Sequence, residues 1–283
     1  MAQLIDGKAI AAKVREEVAV RAAQFEREYG RKPGLHVILV GDDPASAVYV
    51  RNKERAAERS HIAGAVIRMP ADSSQDAVLE QVRELNGRSD VDGILVQFPV
   101  PEQVQQSEVL KTISPDKDVD GLTAVSVGRL WSGLSGLVSC TPAGCIRLLR
   151  EAKVPLEGQR AIVIGRSNLV GKPMAALLTA ENATVTLAHS RTVDLPARCR
   201  EADIVIAAVG RAKMVGADWL KPGAAVIDVG MNRDEQGKLC GDVDFDACEP
   251  VAGWITPVPG GVGPMTIAML LQNTVTAAFA RQA

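Results

Sequence analysis

The stretch RAIVIGRSNLVGKPMAALL, residues 160–178, restricts the possible folds of this chain more than any other segment. Its opening apolar run reads as a strand buried on both faces, and such strands belong to parallel sheets covered by helices. Gly165 then lets the chain turn without a Cβ in the way. Gly171 and Pro173 launch a helix whose free N–H groups and positive end suit a diphosphate. The spacing is one residue longer than the usual dinucleotide fingerprint, and Ser167 stands where its second glycine belongs. A lone glycine turn also joins strand to helix where no nucleotide binds. Here, however, ATVTLAH, ADIVIAAVG, AAVIDVG and GWITPV follow as strand candidates in an alternating rhythm, which favours a nucleotide site.

The first half alternates in the same way. Asp6 caps a helix with Ile10, Val14, Val18 and Phe25 on its apolar side, ended by Gly30 and Pro33. LHVILVG (35–41) is a continuous apolar run. Asp43 and Pro44 open a second helix. GAVIRMP, a polar helix from Ser73 to Gly87, and VDGILVQ (91–97) come next. With 283 residues, the chain has room for about two domains. The reading is therefore two α/β domains, residues 1–140 and 141–263, the second a Rossmann-like parallel sheet. The junction falls near VSCTPAGC, where Pro142 starts a helix over residues 143–152. A last amphipathic helix, residues 264–283, carries Ile267, Leu270, Leu271 and Phe279 and is expected to return to the first domain.

Composition narrows the partners. A net charge of −2 gives no electrostatic reason to expect nucleic acid or an anionic membrane, and 3% aromatic residues leave little surface for stacking bases. Five cysteines, an odd number without a Cys-x-x-Cys pair, and three scattered histidines point to free thiols and no metal. The N-terminal stretch becomes charged too early for a signal peptide, and no apolar run approaches the roughly 18 residues of a membrane span. The expectation is a cytoplasmic protein.

The strand after the glycine turn addresses which nucleotide binds. An NAD site usually ends this strand in Asp or Glu, which accepts bonds from the ribose. ATVTLAHSRT ends instead in His189, Ser190 and Arg191, and Arg166 lies in the first turn. Guanidiniums and a hydroxyl suit a ribose phosphate, hence NADP, although Arg191 also reads as a solvated loop residue. In PVPGGVGPMT (257–266), the amides of Gly260, Gly261, Val262 and Gly263 precede a helix start. They are placed to close over the cofactor, or else they form a rigid reversal.

Ser46, Tyr49 and Lys53 stand at i, i+3 and i+7 of the second helix and share a face near the end of the first buried strand. Ligands of open parallel sheets bind at that end. A lysine on so charged a helix is ordinarily solvated; its alignment with a tyrosine and a serine argues otherwise. Gln97 ends a later strand, ahead of Pro99 and Pro101. Asp116, Asp118 and Asp120 lie beside Gly121 in SPDKDVDGLT, which lacks the bidentate Glu of a calcium loop. An acid near Lys53 and Gln97 fits an organic ligand bearing amino and ring N–H donors.

Taken in order, DPASAVYVRNK, GILVQFPVP, DKDVDGLT, CTPAGC, GRSNLVGKP and PVPGGVGPMT resemble the bifunctional methylenetetrahydrofolate dehydrogenase/methenyltetrahydrofolate cyclohydrolase family over nearly the whole chain. The resemblance implies a catalytic Lys53, a Gln97 that tunes it, a Tyr49 packed on the folate, and substrate contacts at Ser46, Asp120, Pro259, Gly260 and Gly261. It also places Arg166, Ser167 and Ser190 in the cofactor motifs and Gly263 in the loop between the two ligands. With Gly165, Gly171 and Arg191, read above from the turn and the strand end, these make up the expected NADP site. The resemblance further implies a homodimer and an interdomain cleft. The activity implied is oxidation of methylenetetrahydrofolate by NADP⁺, then hydrolysis to formyltetrahydrofolate without a metal. A monofunctional dehydrogenase, another NADP-linked dehydrogenase and a non-enzymatic NADP-sensing protein are the alternatives.

Overall fold

The computed structural model describes residues 1–282. In chain order its elements are β1 (Gln3–Leu4), α1 (Gly7–Tyr29), β2 (Gly34–Val40), α2 (Pro44–Arg59), β3 (Ala63–Met69), α3 (Gln75–Gly87), β4 (Gly93–Val96), α4 (Gln106–Thr112), α5 (Ala124–Trp131), α6 (Cys140–Glu151), β5 (Arg160–Ile164), α7 (Gly171–Ala180), β6 (Thr184–Ala188), α8 (Leu195–Arg200), β7 (Ile204–Ala207), β8 (Ala225–Asp228), β9 (Asn232–Arg233), β10 (Leu239–Cys240), α9 (Phe245–Cys248), β11 (Trp254–Ile255) and α10 (Val262–Ala280). Two compact units result, one of Met1–Ala12 with Thr141–Thr266, the other of Lys13–Cys140 with Ile267–Ala283.

In the second of these units β2 lies between β3 and β4, all parallel. Every residue of β2 is buried, as its unbroken apolar run requires. Side-chain oxygens start the helices: Asp6 Oδ1 accepts from the Ala9 amide, Asp43 Oδ2 from Ser46, and Ser74 Oγ from Ala77. Val14, Val18, Ala22 and Phe25 form the buried stripe of α1. The C-terminal helix does return to this unit. Asn273 of α10 donates to the carbonyls of Val119 and Val138, and Phe279 meets Phe25 edge-on at 5.2 Å.

The other unit holds a six-stranded parallel sheet, order β1-β11-β8-β7-β5-β6. The chain leaves β5 for β6 on one side and returns to β7 on the other, which creates a topological switch point beyond the ends of β5 and β7. Residues 1–12, placed by the sequence reading with the first domain, belong here because β1 pairs with β11, Gln3 opposite Trp254 and Leu4 opposite Ile255. A two-residue pairing carries no sequence pattern. Other details also differ from expectation. α6 begins at Cys140 and α10 at Val262, each two or three residues early, because a proline is tolerated in a first turn that needs no N–H from it. The short α4 and α5 and the antiparallel β9–β10 pair add to the elements that the sequence pattern predicts.

One buried carboxylate fastens several of these elements together. Asp92, just before β4, accepts two bonds from Arg31 at 2.6 and 2.8 Å, one from the Gly34 amide at 2.8 Å and one from Arg281 at 2.7 Å. It therefore ties the end of α1, the start of β2 and the residue after α10 to one point. Removing a partner from a buried ion pair leaves the remaining groups uncompensated. Asp92→Ala should cost about 3 kcal/mol and lower Tm by roughly 5–10 °C. An unchanged melting curve would show that the clamp contributes nothing.

Candidate active site

Lys53 lies on α2, half-buried, and its Nζ donates to Gln97 Oε1 at 2.9 Å. Gln97 sits one residue beyond β4, held there by its amide bond to the Ile38 carbonyl. Its own Nε2 donates to the Phe98 carbonyl at 2.7 Å, so the oxygen is left facing the lysine. Burial lowers the Lys53 amine from its ordinary value, an effect that the nearby Asp120 and Cys140 oppose. An amine out of water prefers to be neutral, and a carboxylate close by favours its charge. Ser46 is buried on the same helix and Tyr49 is exposed.

The acidic triplet separates into three roles. Asp116 is on the surface and pairs with Arg129. Asp118 is buried and accepts from the amides of Leu122 and Thr123 at 3.1 and 2.8 Å and from Ser126 Oγ at 2.7 Å, which makes it the organiser of the loop into α5. Asp120 remains beside Lys53. Burial raises its carboxyl, while the charge of Lys53 pulls the other way. Cys140, the first residue of α6, was not among the sequence candidates. It is buried, its thiol donates to the Val119 carbonyl at 3.3 Å, and burial beside Asp120 holds it well above its ordinary value. Its only sequence signal was its place at the head of CTPAGC. Among the described residues no group of three His, Cys, Asp or Glu could hold a metal ion.

In the parallel-sheet unit the glycine turn has the form a diphosphate needs. Gly165 adopts φ 122°, and a Cβ there would lie 2.1 Å from the Ala208 carbonyl oxygen. A Cβ on Gly171 would lie 2.0 Å from the Gly165 carbonyl oxygen, so the head of α7 packs directly on the end of β5. Ser167 fills the place of the missing glycine in an unexpected way. Its Oγ accepts from the amides of Val170 and Gly171 at 3.1 and 3.4 Å, while the hydroxyl proton stays available to donate. Arg166, Ser190 and Arg191 are exposed around the ends of β5 and β6. The His189 Nδ1 accepts from the Arg191 amide at 3.2 Å, and the His189 amide donates to Thr192 Oγ1 at 2.9 Å, which shapes the loop carrying Ser190. Among the described residues the end of β6 carries His189, Ser190 and Arg191 and no carboxylate.

The reversal before α10 lies in the same unit. Pro259 is exposed, a Cβ on Gly260 would lie 3.3 Å from the Lys8 side chain, and buried Gly261 packs against Gly7 with no room for a side chain between them. Gly263 is exposed within the first turn of α10.

Family models for the tetrahydrofolate dehydrogenase/cyclohydrolase catalytic domain and for its NAD(P)-binding domain match residues 5–120 and 139–282. The bifunctional protein FolD of Caulobacter sp. (strain K31) is 58% identical over 287 positions, covering 98% of this chain and 96% of that protein. The crystal structure of the bifunctional FolD methylenetetrahydrofolate dehydrogenase/cyclohydrolase of Campylobacter jejuni superposes with a TM-score of 0.97 at 44% identity, covering 99% of this chain and all (100%) of that one. The FolD of Trypanosoma brucei, solved with NADP cofactor and an inhibitor, superposes with a TM-score of 0.93 at 40% identity, covering 99% of this chain and 98% of that one. The chain belongs to the tetrahydrofolate dehydrogenase/cyclohydrolase family.

Proposed function

We propose that the protein oxidises methylenetetrahydrofolate to methenyltetrahydrofolate with NADP⁺ and then hydrolyses the product to formyltetrahydrofolate. The observation that carries this reading is the partly desolvated Lys53 amine, held by Gln97 beside Asp120. NADP⁺, when bound, accepts the hydride that leaves the one-carbon bridge. The lone pairs of the two folate nitrogens drive that departure, so the protein's main task in this step is alignment.

The second step needs a proton carrier. Methenyltetrahydrofolate is a delocalised cation and already electrophilic at the bridge carbon. Lys53 as the free amine takes a proton from the attacking water, a C–O bond forms, and Lys53 returns the proton to the departing nitrogen as one C–N bond breaks. The carbinol proton goes to solvent as the formyl C=O forms, so one proton is released overall. A cationic substrate disfavours charge on Lys53 further and so shifts the amine in the same direction, towards the neutral, reactive form. Gln97 orients the amine without adding charge. Asp120 receives the amino and ring N–H donors of the pterin, with Tyr49 packed on the folate and Ser46, Pro259, Gly260 and Gly261 as further contacts. On the nucleotide side, Gly165, Arg166, Ser167, Gly171 and Gly263 hold NADP, with Ser190 and Arg191 at the ribose phosphate.

Functionally we divide the chain into a folate part, residues up to 140 completed by α10, and an NADP part, 141–263; residues 1–12 support the NADP sheet. We further propose a homodimer, supported by the largely exposed edge strand β3. A cytoplasmic location is supported by five buried free cysteines. Among the described residues no helix is long and apolar enough to cross a membrane.

Lys53→Met should lower cyclohydrolase turnover by about 10²–10⁴-fold while NADP⁺ still binds within twofold of the wild type; hydrolysis at the full rate would remove Lys53 from the mechanism. The pH dependence carries a sign. The base must be neutral, so the hydrolytic kcat rises with pH through an apparent pKa below the ordinary 10.5 of lysine. Asp120 favours the charged amine, so Asp120→Asn should move that rising limb to lower pH, as seen in kcat profiles of the two proteins. For the cofactor, Ser190→Asp should lower the NADP⁺ over NAD⁺ ratio of kcat/KM at least about tenfold through repulsion of the ribose phosphate. Unchanged ratios would move the phosphate site elsewhere.

A further inference from the structure

Two buried carboxylates outside the sites already described form a relay that ends at the dinucleotide crevice. Asp242, between β10 and α9, is fully buried. Its Oδ2 accepts from the amides of Val209 and Gly210 at 2.6 and 3.1 Å, and its Oδ1 from the Arg211 amide at 2.8 Å and Asn232 Nδ2 at 2.9 Å. Three consecutive amides of the segment leaving β7 thus converge on one side chain. Asp242 is itself fixed by Asp228, the last residue of β8. Asp228 Oδ1 accepts from the amides of Gly230 and Asp242, both at 2.9 Å, and Oδ2 from Val243 at 2.9 Å. Between the two acids, Gly241 is so close to Asp228 that a Cβ would sit 1.8 Å from its Oδ2.

The placement of residues 208–211 gives this relay its meaning. They follow β7, the strand across the switch point from β5, and the Ala208 carbonyl lies directly against Gly165 of the glycine turn. They therefore form the wall of the crevice opposite the turn that holds the diphosphate. A wall made of loop backbone keeps a fixed position only if its polar groups are satisfied from behind, and one carboxylate does this for three amides in a row. Loop segments otherwise rank among the least stable parts of a fold.

We propose that Asp242 is a positioning residue for hydride transfer: it fixes the 209–211 wall of the dinucleotide crevice, with Asp228 and Asn232 holding Asp242 in place. The inference rests on the NADP-linked reading above. In Asp242→Asn the amide keeps one accepting oxygen and turns an NH₂ group towards N–H donors, so the wall loses part of its anchor while shape is conserved. Three measurements decide it. Amide hydrogen exchange of the cofactor-free protein should speed up at least tenfold at residues 209–211, with strand 225–228 unchanged. Turnover of methylenetetrahydrofolate with NADP⁺ should fall at least tenfold, with an increased primary isotope effect from bridge deuteration, because a misaligned transfer becomes the slow step. Hydrolysis of methenyltetrahydrofolate, supplied directly, should stay within twofold.

Unchanged exchange at 209–211, or an equal fall in both activities, overturns the proposal. If Asp242→Asn yields no folded protein, Asn232→Ala, which removes one of the four donors, decides it: selective slowing of the dehydrogenase supports the role, and unaltered rates refute it. Wild-type protein that fails to reduce NADP⁺ with methylenetetrahydrofolate would refute the function itself, so the two failures are separable.

Discussion

The free energy of one amine, taken partly out of water and given an amide oxygen as its partner, organises the folate half of this protein. Burial disfavours the ammonium form and a carboxylate nearby favours it; burial is the larger effect, so the amine is held below its ordinary value. Keeping it there requires several elements to hold fixed positions. The Asp43 cap sets where α2 begins, the Gln97 amide is anchored at the end of β4, and Gln97 Nε2 is occupied by the Phe98 carbonyl so that its oxygen has one orientation. The buried thiol of Cys140 at the head of α6 completes the surroundings of Asp120. Each anchor is a local hydrogen bond, and together they place a titrating group with little freedom to wander.

The nucleotide half solves a different problem, since it must present backbone to a highly charged ligand. Its answer is close packing at the two strand ends that flank the switch point. The Gly165 carbonyl and the head of α7 meet on one side, and the Ala208 carbonyl meets Gly165 on the other. Buried acids supply what the strands do not. Asp228 is pushed up to about 6 by burial even though three amides point at it, so the cost of removing the carboxylate from water is only partly offset by its hydrogen bonds.

How much of this was legible in the sequence follows from the range of the interactions involved. Long apolar runs such as LHVILVG and RAIVIG report burial on both faces directly, and the caps Asp6, Asp43 and Ser74 act within three residues, so helices and parallel strands could be read locally. The pairing of Lys53 with Gln97, 44 residues apart, was suggested by their common position at strand ends. What escaped was set by contacts without a pattern. The two residues of β1 join a sheet whose next strand lies some 250 positions away. In DKDVD three similar acids differ only in what surrounds them: Asp116 faces solvent, Asp118 caps a loop and Asp120 faces the lysine. The buried Lys117 between them, which donates to the Leu85, Asn86 and Arg88 carbonyls at the end of α3, looks like any surface lysine in the sequence. Composition cannot distinguish such residues, because burial is decided by the rest of the fold.

The serine in the glycine turn has a thermodynamic consequence for turnover. A turn of bare glycines leaves its amides to be satisfied by the phosphate or by water, so losing the dinucleotide strips those donors of their partners. With the Ser167 oxygen already accepting from Val170 and Gly171, two of them are satisfied in the empty state as well. The difference in hydrogen bonding between loaded and vacant turn is correspondingly smaller. That arrangement suits a carrier which arrives oxidised, leaves reduced and is exchanged in every round, rather than a group retained for the lifetime of the protein.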